Sequence, residues 1–282
     1  MKSRVILKNP RHYVVEVNNE LIDVTFSGKM HFAKQQIYVG DFVEINEETL
    51  QIEGLYPRNN FLIRPLVANV DQVLIVMSLK EPDFSSYLVD KFLTYCHYVN
   101  VEPIVILTKS DLVSENKEIE EILEHVKSQK SRVYVNDHTP KFFEMLKEIL
   151  KGKVSVFMGQ TGVGKSSLIN SLFPHFEREV NEISKKLGRG KHTTKEIIML
   201  RHEDYYLVDT PGFSSFILPM DAIAVSQNYP LIENYLGKCF FQDCLHLSEK
   251  DCKVKEDVAK GVISKTTYDN YVKIIEESKD FK

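Results

Sequence analysis

The sequence predicts an α/β protein. A domain with a mainly parallel sheet is preceded by a small OB-like β-barrel and followed by a helical segment that carries a cysteine cluster. Three observations predict this. Residues 1–65 hold short alternating apolar runs separated by turn residues. Residues 66–217 alternate buried-strand runs with helix-length segments. Residues 218–282 become helical and contain Cys239, Cys244, His246 and Cys252.

In the first segment the alternating runs are 12–17, 21–26, 37–45 and 50–56, divided by Asn18-Asn19, Ser27-Gly28 and Asn46. That texture suits a small barrel such as an OB-fold, with another small β-domain as the alternative. Pro57-Arg58-Asn59-Asn60 and then Pro65 read as a linker. Beyond it, strand runs at 72–78, 103–108, 131–135, 154–158 and 205–209 alternate with helical stretches at 87–99, 116–128, 140–150 and 165–173. Strand–helix alternation of this kind implies a parallel sheet, with ligands beyond the carboxyl ends of its strands. The stretch 264–279 reads as one amphipathic helix with Tyr268, Tyr271, Val272 and Ile275 on one side.

The composition excludes some classes. Of 282 residues, charged ones make up 27% and the net charge is −4, which does not suit a uniformly basic nucleic-acid binder. No apolar run approaches the ~20 residues of a membrane-spanning helix, and the N-terminus lacks a signal peptide's apolar core. A cytoplasmic protein without membrane attachment is expected, and a monomer.

Gly159-Gln160-Thr161-Gly162-Val163-Gly164-Lys165-Ser166 matches G-x-x-x-x-G-K-[ST] in full, with an apolar run before it and a helix-compatible stretch from Ser167 onward. Glycines let backbone N–H groups converge on phosphate oxygens, and the helix N-terminus adds its dipole. Lys165 suits the β- and γ-phosphates and Ser166 a Mg²⁺ ion. Asp209-Thr210-Pro211-Gly212 closes another apolar run. There Asp209 suits the Mg²⁺ hydration shell and the Gly212 N–H the γ-phosphate. Between them lies Gly188-Arg189-Gly190-Lys191-His192-Thr193-Thr194. A hydroxyl of Thr193 or Thr194 can complete the Mg²⁺ shell, as in a nucleotide-sensing switch loop; a solvated basic loop is the alternative.

Thr108-Lys109-Ser110-Asp111 follows the strand run 103–108. Asp111 can accept hydrogen bonds from two guanine N–H groups, which adenine does not present, and Lys109 can lie along the base. This tetrad precedes the phosphate loop, the reverse of most GTPases. The order need not disturb the site, because every motif sits at one edge of one sheet.

The order TKSD, GQTGVGKSS, GRGKHTT, DTPGF resembles the circularly permuted GTPases of the ribosome small-subunit-dependent GTPase A family. Asn69-Val70-Asp71-Gln72 after Arg64-Pro65 and the C-terminal cysteine cluster also match. The likeness covers essentially the whole chain. It implies GTP hydrolysis, zinc, and docking on the small ribosomal subunit and its rRNA late in maturation, with release on hydrolysis. A nucleotide-gated RNA-binding module with incidental hydrolysis is the alternative, and a P-loop ATPase a further one. The loop after Val135 departs from the pattern: the family tends to place serine there, and this chain has Asn136-Asp137-His138.

Many GTPases carry a glutamine just after D-x-x-G to orient water; here that position is Phe213. The resemblance implies that His192 takes the part, whereas the residues alone leave open that it only docks RNA. Cys239, Cys244, His246 and Cys252 form C-x₄-C-x-H-x₅-C, four soft ligands that suit a structural zinc ion; reduced core cysteines are the alternative. Cys96 lies on an apolar helix and reads as core. Lys185, Lys186, Arg189, Lys191 and Lys195 form a local basic patch, suited to RNA phosphates or simply to solvent.

Overall fold

The computed structural model describes residues 1–8, 12–27, 36–175, 197–209 and 216–278. In chain order the strands are β1 (Lys2–Lys8), β2 (Tyr13–Val17), β3 (Glu20–Phe26), β4 (Phe42–Asn46), β5 (Gln51–Leu55), β6 (Phe61–Ile63), β7 (Leu66–Ala68), β8 (Gln72–Ser78), β9 (Glu102–Thr108), β10 (Arg132–Val135), β11 (Val154–Met158), β12 (Ile198–His202) and β13 (Tyr205–Asp209). The helices are α1 (Ser86–Tyr98), α2 (Asn116–Ser128), α3 (Pro140–Leu150), α4 (Lys165–Leu172), α5 (Ala222–Asn228), α6 (Lys253–Ala259) and α7 (Lys265–Ser278). None of these helices is long and apolar enough to cross a membrane.

Contacts divide the chain into two units. One comprises Met1–Gln72, Pro140–Met158 and Lys165–Pro211. Within it β1 pairs with β2, β2 with β3, β3 with β5, β5 with β4, and β4 returns to β1, which closes a barrel. Only the β3–β5 pair is parallel. This five-stranded closure is the OB-like barrel expected from the turn spacing. Alternation puts Val5, Val15, Val24, Val43, Ile45 and Ile52 inside, with Tyr13 and Ile37. The stretch read as a linker is more than that. Arg58 pairs with the buried Asp41 at 2.7 Å, and β6 and β7 form a hairpin just beyond it.

The same unit holds β11 beside β13 in parallel register and β12 antiparallel to β13. The sequence reading missed β12, whose Ile198, Met199 and Leu200 are all buried. In α3, Phe142, Leu146 and Leu150 recur every fourth residue and are the buried face.

The other unit comprises Val73–Thr139, Gly159–Gly164 and Gly212–Lys282. Its strands run in the order β10, β9, β8, with β9 and β10 parallel. β8 is buried along its whole length, the mark of an interior strand covered on both faces. α1 packs on α5 and α7, and α2 packs on β10 and α1.

Candidate functional site

Strand β11 is fully buried and leads into the loop Gly159–Gly164, from which α4 starts at Lys165. Glycine is required at the first position of this loop. A Cβ at Gly159 would meet the Val76 carbonyl oxygen at 2.3 Å. Gly164 has φ +88, a left-handed conformation that glycine adopts without strain. Val163 is buried, Gln160 half-buried, and Thr161, Ser166 and Ser167 are exposed. Lys165, next in the chain after the loop, is only 7% exposed.

The tetrad Thr108–Asp111 sits at the carboxyl end of β9. Thr108 is buried, and its hydroxyl donates to the Val163 carbonyl at 2.5 Å, with the Met77 carbonyl at 3.2 Å as the more distant acceptor. A Cβ on Gly164 would lie 3.7 Å from the Thr108 hydroxyl oxygen. The Thr108–Asp111 tetrad and the Gly159–Gly164 loop, distant in sequence, therefore touch. Lys109 adopts a left-handed conformation (φ 58) and its ammonium donates to the Glu81 carbonyl. Asp111 is exposed in the 3-10 turn that follows.

The departing loop after β10 is fastened to the same tetrad. The Ser110 hydroxyl donates to the Asn136 carbonyl at 2.8 Å, and the Asn136 N–H donates to the Leu107 carbonyl at 2.7 Å. The buried Asn136 side chain accepts the His138 N–H at 3.0 Å. Asp137 accepts the Thr139 hydroxyl and N–H, which hold its carboxyl below the usual carboxylate range.

Asp209 ends β13, where the parallel register with β11 pairs Val208 with Val156. His192, Thr193, Thr194, Gly212 and Phe213 lie outside the described residues, as do Lys185, Lys186, Arg189, Lys191 and Lys195.

In the C-terminal segment Cys239, Cys244, His246 and Cys252 come together, with their ligand atoms all within 4.8 Å of one another. His246 Nδ1 is 3.5 Å from Cys239 Sγ and 3.4 Å from Cys252 Sγ, and those sulfurs are 4.0 Å apart. The Tyr268 and Tyr271 hydroxyls donate to the carbonyls of His246 (2.7 Å) and Leu245 (2.8 Å), while Glu249 accepts the N–H groups of Leu245 and Leu247. Burial pushes the Cys244 thiol up to about 12, raises that of Cys252 and lowers the His246 imidazole. A dication among these sulfurs favours thiolate and reverses the thiol shifts. The cluster can hold a metal ion.

A model of the RsgA GTPase family matches residues 55–219. The chain belongs to the RsgA GTPase family. It is 40% identical over 269 residues to the small ribosomal subunit biogenesis GTPase RsgA of Thermotoga petrophila, covering 93% of this chain and 90% of that protein. It is 36% identical over 282 residues to the protein of the same name in Streptococcus agalactiae, covering 98% and 95%. Among solved structures it is similar to YjeQ from Thermotoga maritima, with TM-score 0.79 and 32% identity over 100% of this chain and 99% of that one. It is also similar to YloQ, described as a circularly permuted GTPase, with TM-score 0.80 and 28% identity over 100% and 96%. The family expected from the motif order is thus borne out, and the fold is that of a circularly permuted GTPase with an OB-like barrel.

Two features of this RsgA-family site escaped the sequence reading. One is the contact made by Asn136, named in the sequence only as a departure from the family's serine: its carbonyl ties its loop to the tetrad. The other is the turn after β8, where Glu81 receives Lys109 and Pro82 abuts the phosphate loop. Their signal was positional: both lie just beyond the carboxyl ends of strands, β10 and β8, where ligands of open sheets collect.

Proposed function

We propose that this chain is a GTP hydrolase (GTP and water to GDP and phosphate) that binds the small ribosomal subunit during its late maturation and leaves on hydrolysis. What carries the reading is the Thr108–Val163 hydrogen bond, which joins a guanine-type tetrad to a phosphate loop. The names borne by the relatives supply the subunit. The protein acts as a cytoplasmic monomer, with residues 1–65 as barrel, 66–217 as GTPase domain and 218–282 as metal-binding segment.

Thr108, Lys109, Ser110 and Asp111 take the guanine, with Asp111 accepting the two base N–H groups. Gly159, Gln160, Thr161, Gly162, Val163, Gly164, Lys165, Ser166 and Ser167 take the phosphates, and Lys165 balances charge that builds on the β- and γ-oxygens. The Gly212 N–H would meet the γ-phosphate, and Asp209 would hold the Mg²⁺ hydration shell. Ser166, Thr193, Thr194 and Asp209 would hold Mg²⁺, which supplies charge neutralisation when bound with GTP. His192 orients the attacking water, a part that Phe213 cannot play.

Cys239, Cys244, His246 and Cys252 would hold one structural zinc ion. Zinc bound at ~2.3 Å to sulfur and ~2.0–2.1 Å to nitrogen has tetrahedral edges of roughly 3.5–3.8 Å. The separations of 3.4, 3.5 and 4.0 Å fit that frame through Nδ1. Four protein donors leave no open position, so the ion serves structure rather than catalysis.

GTP turnover measured with and without purified small subunits tests the proposal. Stimulation of about tenfold or more is expected, since docking preorganises the catalytic loop. Unchanged turnover would favour the rival that Phe213 suggests, a nucleotide-gated RNA-binding module whose hydrolysis is incidental.

A further inference from the structure

Within one unit of the fold, a continuous set of contacts runs from the base-reading tetrad to the Cys/His loop. At the near end is the turn between β8 and α1. Ser78 donates its hydroxyl to the Pro82 carbonyl at 2.6 Å, Lys109 donates to the Glu81 carbonyl, and a Cβ on Gly162 would lie 3.9 Å from the Pro82 ring. The turn thus rests on both halves of the nucleotide site. It passes into α1 through Ser85, whose side chain caps the helix at Leu88.

Further along α1 is Asp90, which is 0% exposed. A buried carboxyl must be met by donors from its surroundings. Here they come from three other parts of the chain. His125 Nε2 on α2 lies 2.8 Å from one oxygen, and Tyr229 after α5 and Asn270 on α7 each donate to the other at 2.8 Å. Burial, then the Asp90 charge, hold the Tyr229 phenol well above its usual range, so it remains a donor. The neighbouring Lys91 is also buried and pairs with Glu277 at the end of α7. α7 completes the set, because its Tyr268 and Tyr271 hold the carbonyls of His246 and Leu245 in the Cys/His loop.

We propose that α1 couples nucleotide occupancy to the Cys/His loop, with Asp90 as the positioning residue that fastens α7 to it. This rests on reading Thr108–Asp111 and the phosphate loop as the guanine nucleotide site. It adds a route on the base side of the site, separate from the covalent route by which the D-x-x-G segment continues into the C-terminal segment. Coupling of this kind is reciprocal: a partner that grips the Cys/His loop alters nucleotide affinity by the same factor that the nucleotide alters the grip.

Amide hydrogen exchange with and without GDP–Mg²⁺ tests it, in the full-length wild type, Asp90→Asn and Asn270→Ala, with calorimetry reporting GDP binding in each sample. In the wild type, GDP slows exchange across residues 265–278 and 239–252 by about fivefold or more. In both variants GDP binds within about threefold of wild type, and the slowing stays confined to segments at the nucleotide site. A purely structural role for Asp90 speeds exchange equally with and without GDP. Should Asp90→Asn melt, Asn270→Ala decides, because it leaves His125 and Tyr229 on the carboxyl. Wild type that binds GDP without slowing 265–278, or Asn270→Ala that slows it as wild type does, overturns the coupling. Wild type that does not bind GDP overturns the nucleotide reading and the coupling with it.

Discussion

Thr108→Val probes the junction of the two motifs with the least change of shape. Valine keeps the volume and the branching but removes the proton that reaches the Val163 carbonyl at 2.5 Å. Thr108 is 4% exposed, so water does not readily replace the lost donor. A carbonyl left unsatisfied in a buried setting costs ~1–3 kcal/mol. The oxygen belongs to the phosphate loop itself, so much of that cost falls on the loop conformation that binds nucleotide. At about 1.4 kcal/mol per tenfold, GDP affinity falls by roughly 5- to 150-fold, with about tenfold as the central expectation. Calorimetric titration of GDP–Mg²⁺ into wild type, Thr108→Val and Thr108→Ser measures it. Serine retains the hydroxyl and should stay within about threefold of wild type. A folded Thr108→Val protein that binds GDP as tightly as wild type would refute the claim that this bond organises the site.

Gly159→Ala forces a Cβ to 2.3 Å from the backbone oxygen of Val76, which cannot swing aside. Loss of measurable GDP binding, or of the folded protein by circular dichroism, is the expected outcome. Asp111→Asn removes the charged acceptor for the guanine N–H groups and should weaken GTP by about 10- to 100-fold in competition titrations while leaving ATP binding unchanged. Cys252→Ala should lower zinc content from one ion per chain, read by elemental analysis, and raise protease sensitivity within 239–278. His192→Ala should lower subunit-stimulated turnover by roughly 10²- to 10⁴-fold with little change in GDP affinity; equal loss of affinity would reassign the residue to binding.

Elements whose signal is local were legible in the sequence. The 154–158 run, the glycine loop and the 165–173 helix run follow one another with no long-range information, and the observed strand has the bounds its apolar run gave. The same holds for 116–128, where the buried Ile122 and Val126 stand one turn apart. The four metal-cluster residues were legible because soft ligands seldom gather so closely for any other reason. What escaped depends on tertiary pairing. β12 is an ordinary apolar run whose strand character comes from lying antiparallel to β13. β6 and β7 are so short that only their mutual pairing defines them, and they flank Pro65, which reads as part of a linker. Asn136 stood out only as a departure from the family pattern, because its contribution runs through backbone groups, which carry no residue signature. Nothing in the sequence singles out Asp90 within the helical stretch 87–99. Its burial follows from α5 and α7, which return to α1 from the far end of the chain.

On the proposed reading, Asp111 and the glycine loop engage one guanine nucleotide. Binding of GDP and ADP to the wild-type protein, measured by calorimetry under identical Mg²⁺ and salt, tests it most directly. A preference for GDP of at least about a hundredfold is expected, because a carboxylate built to receive two N–H groups is left unpaired by adenine. Equal affinity for the two nucleotides would contradict it.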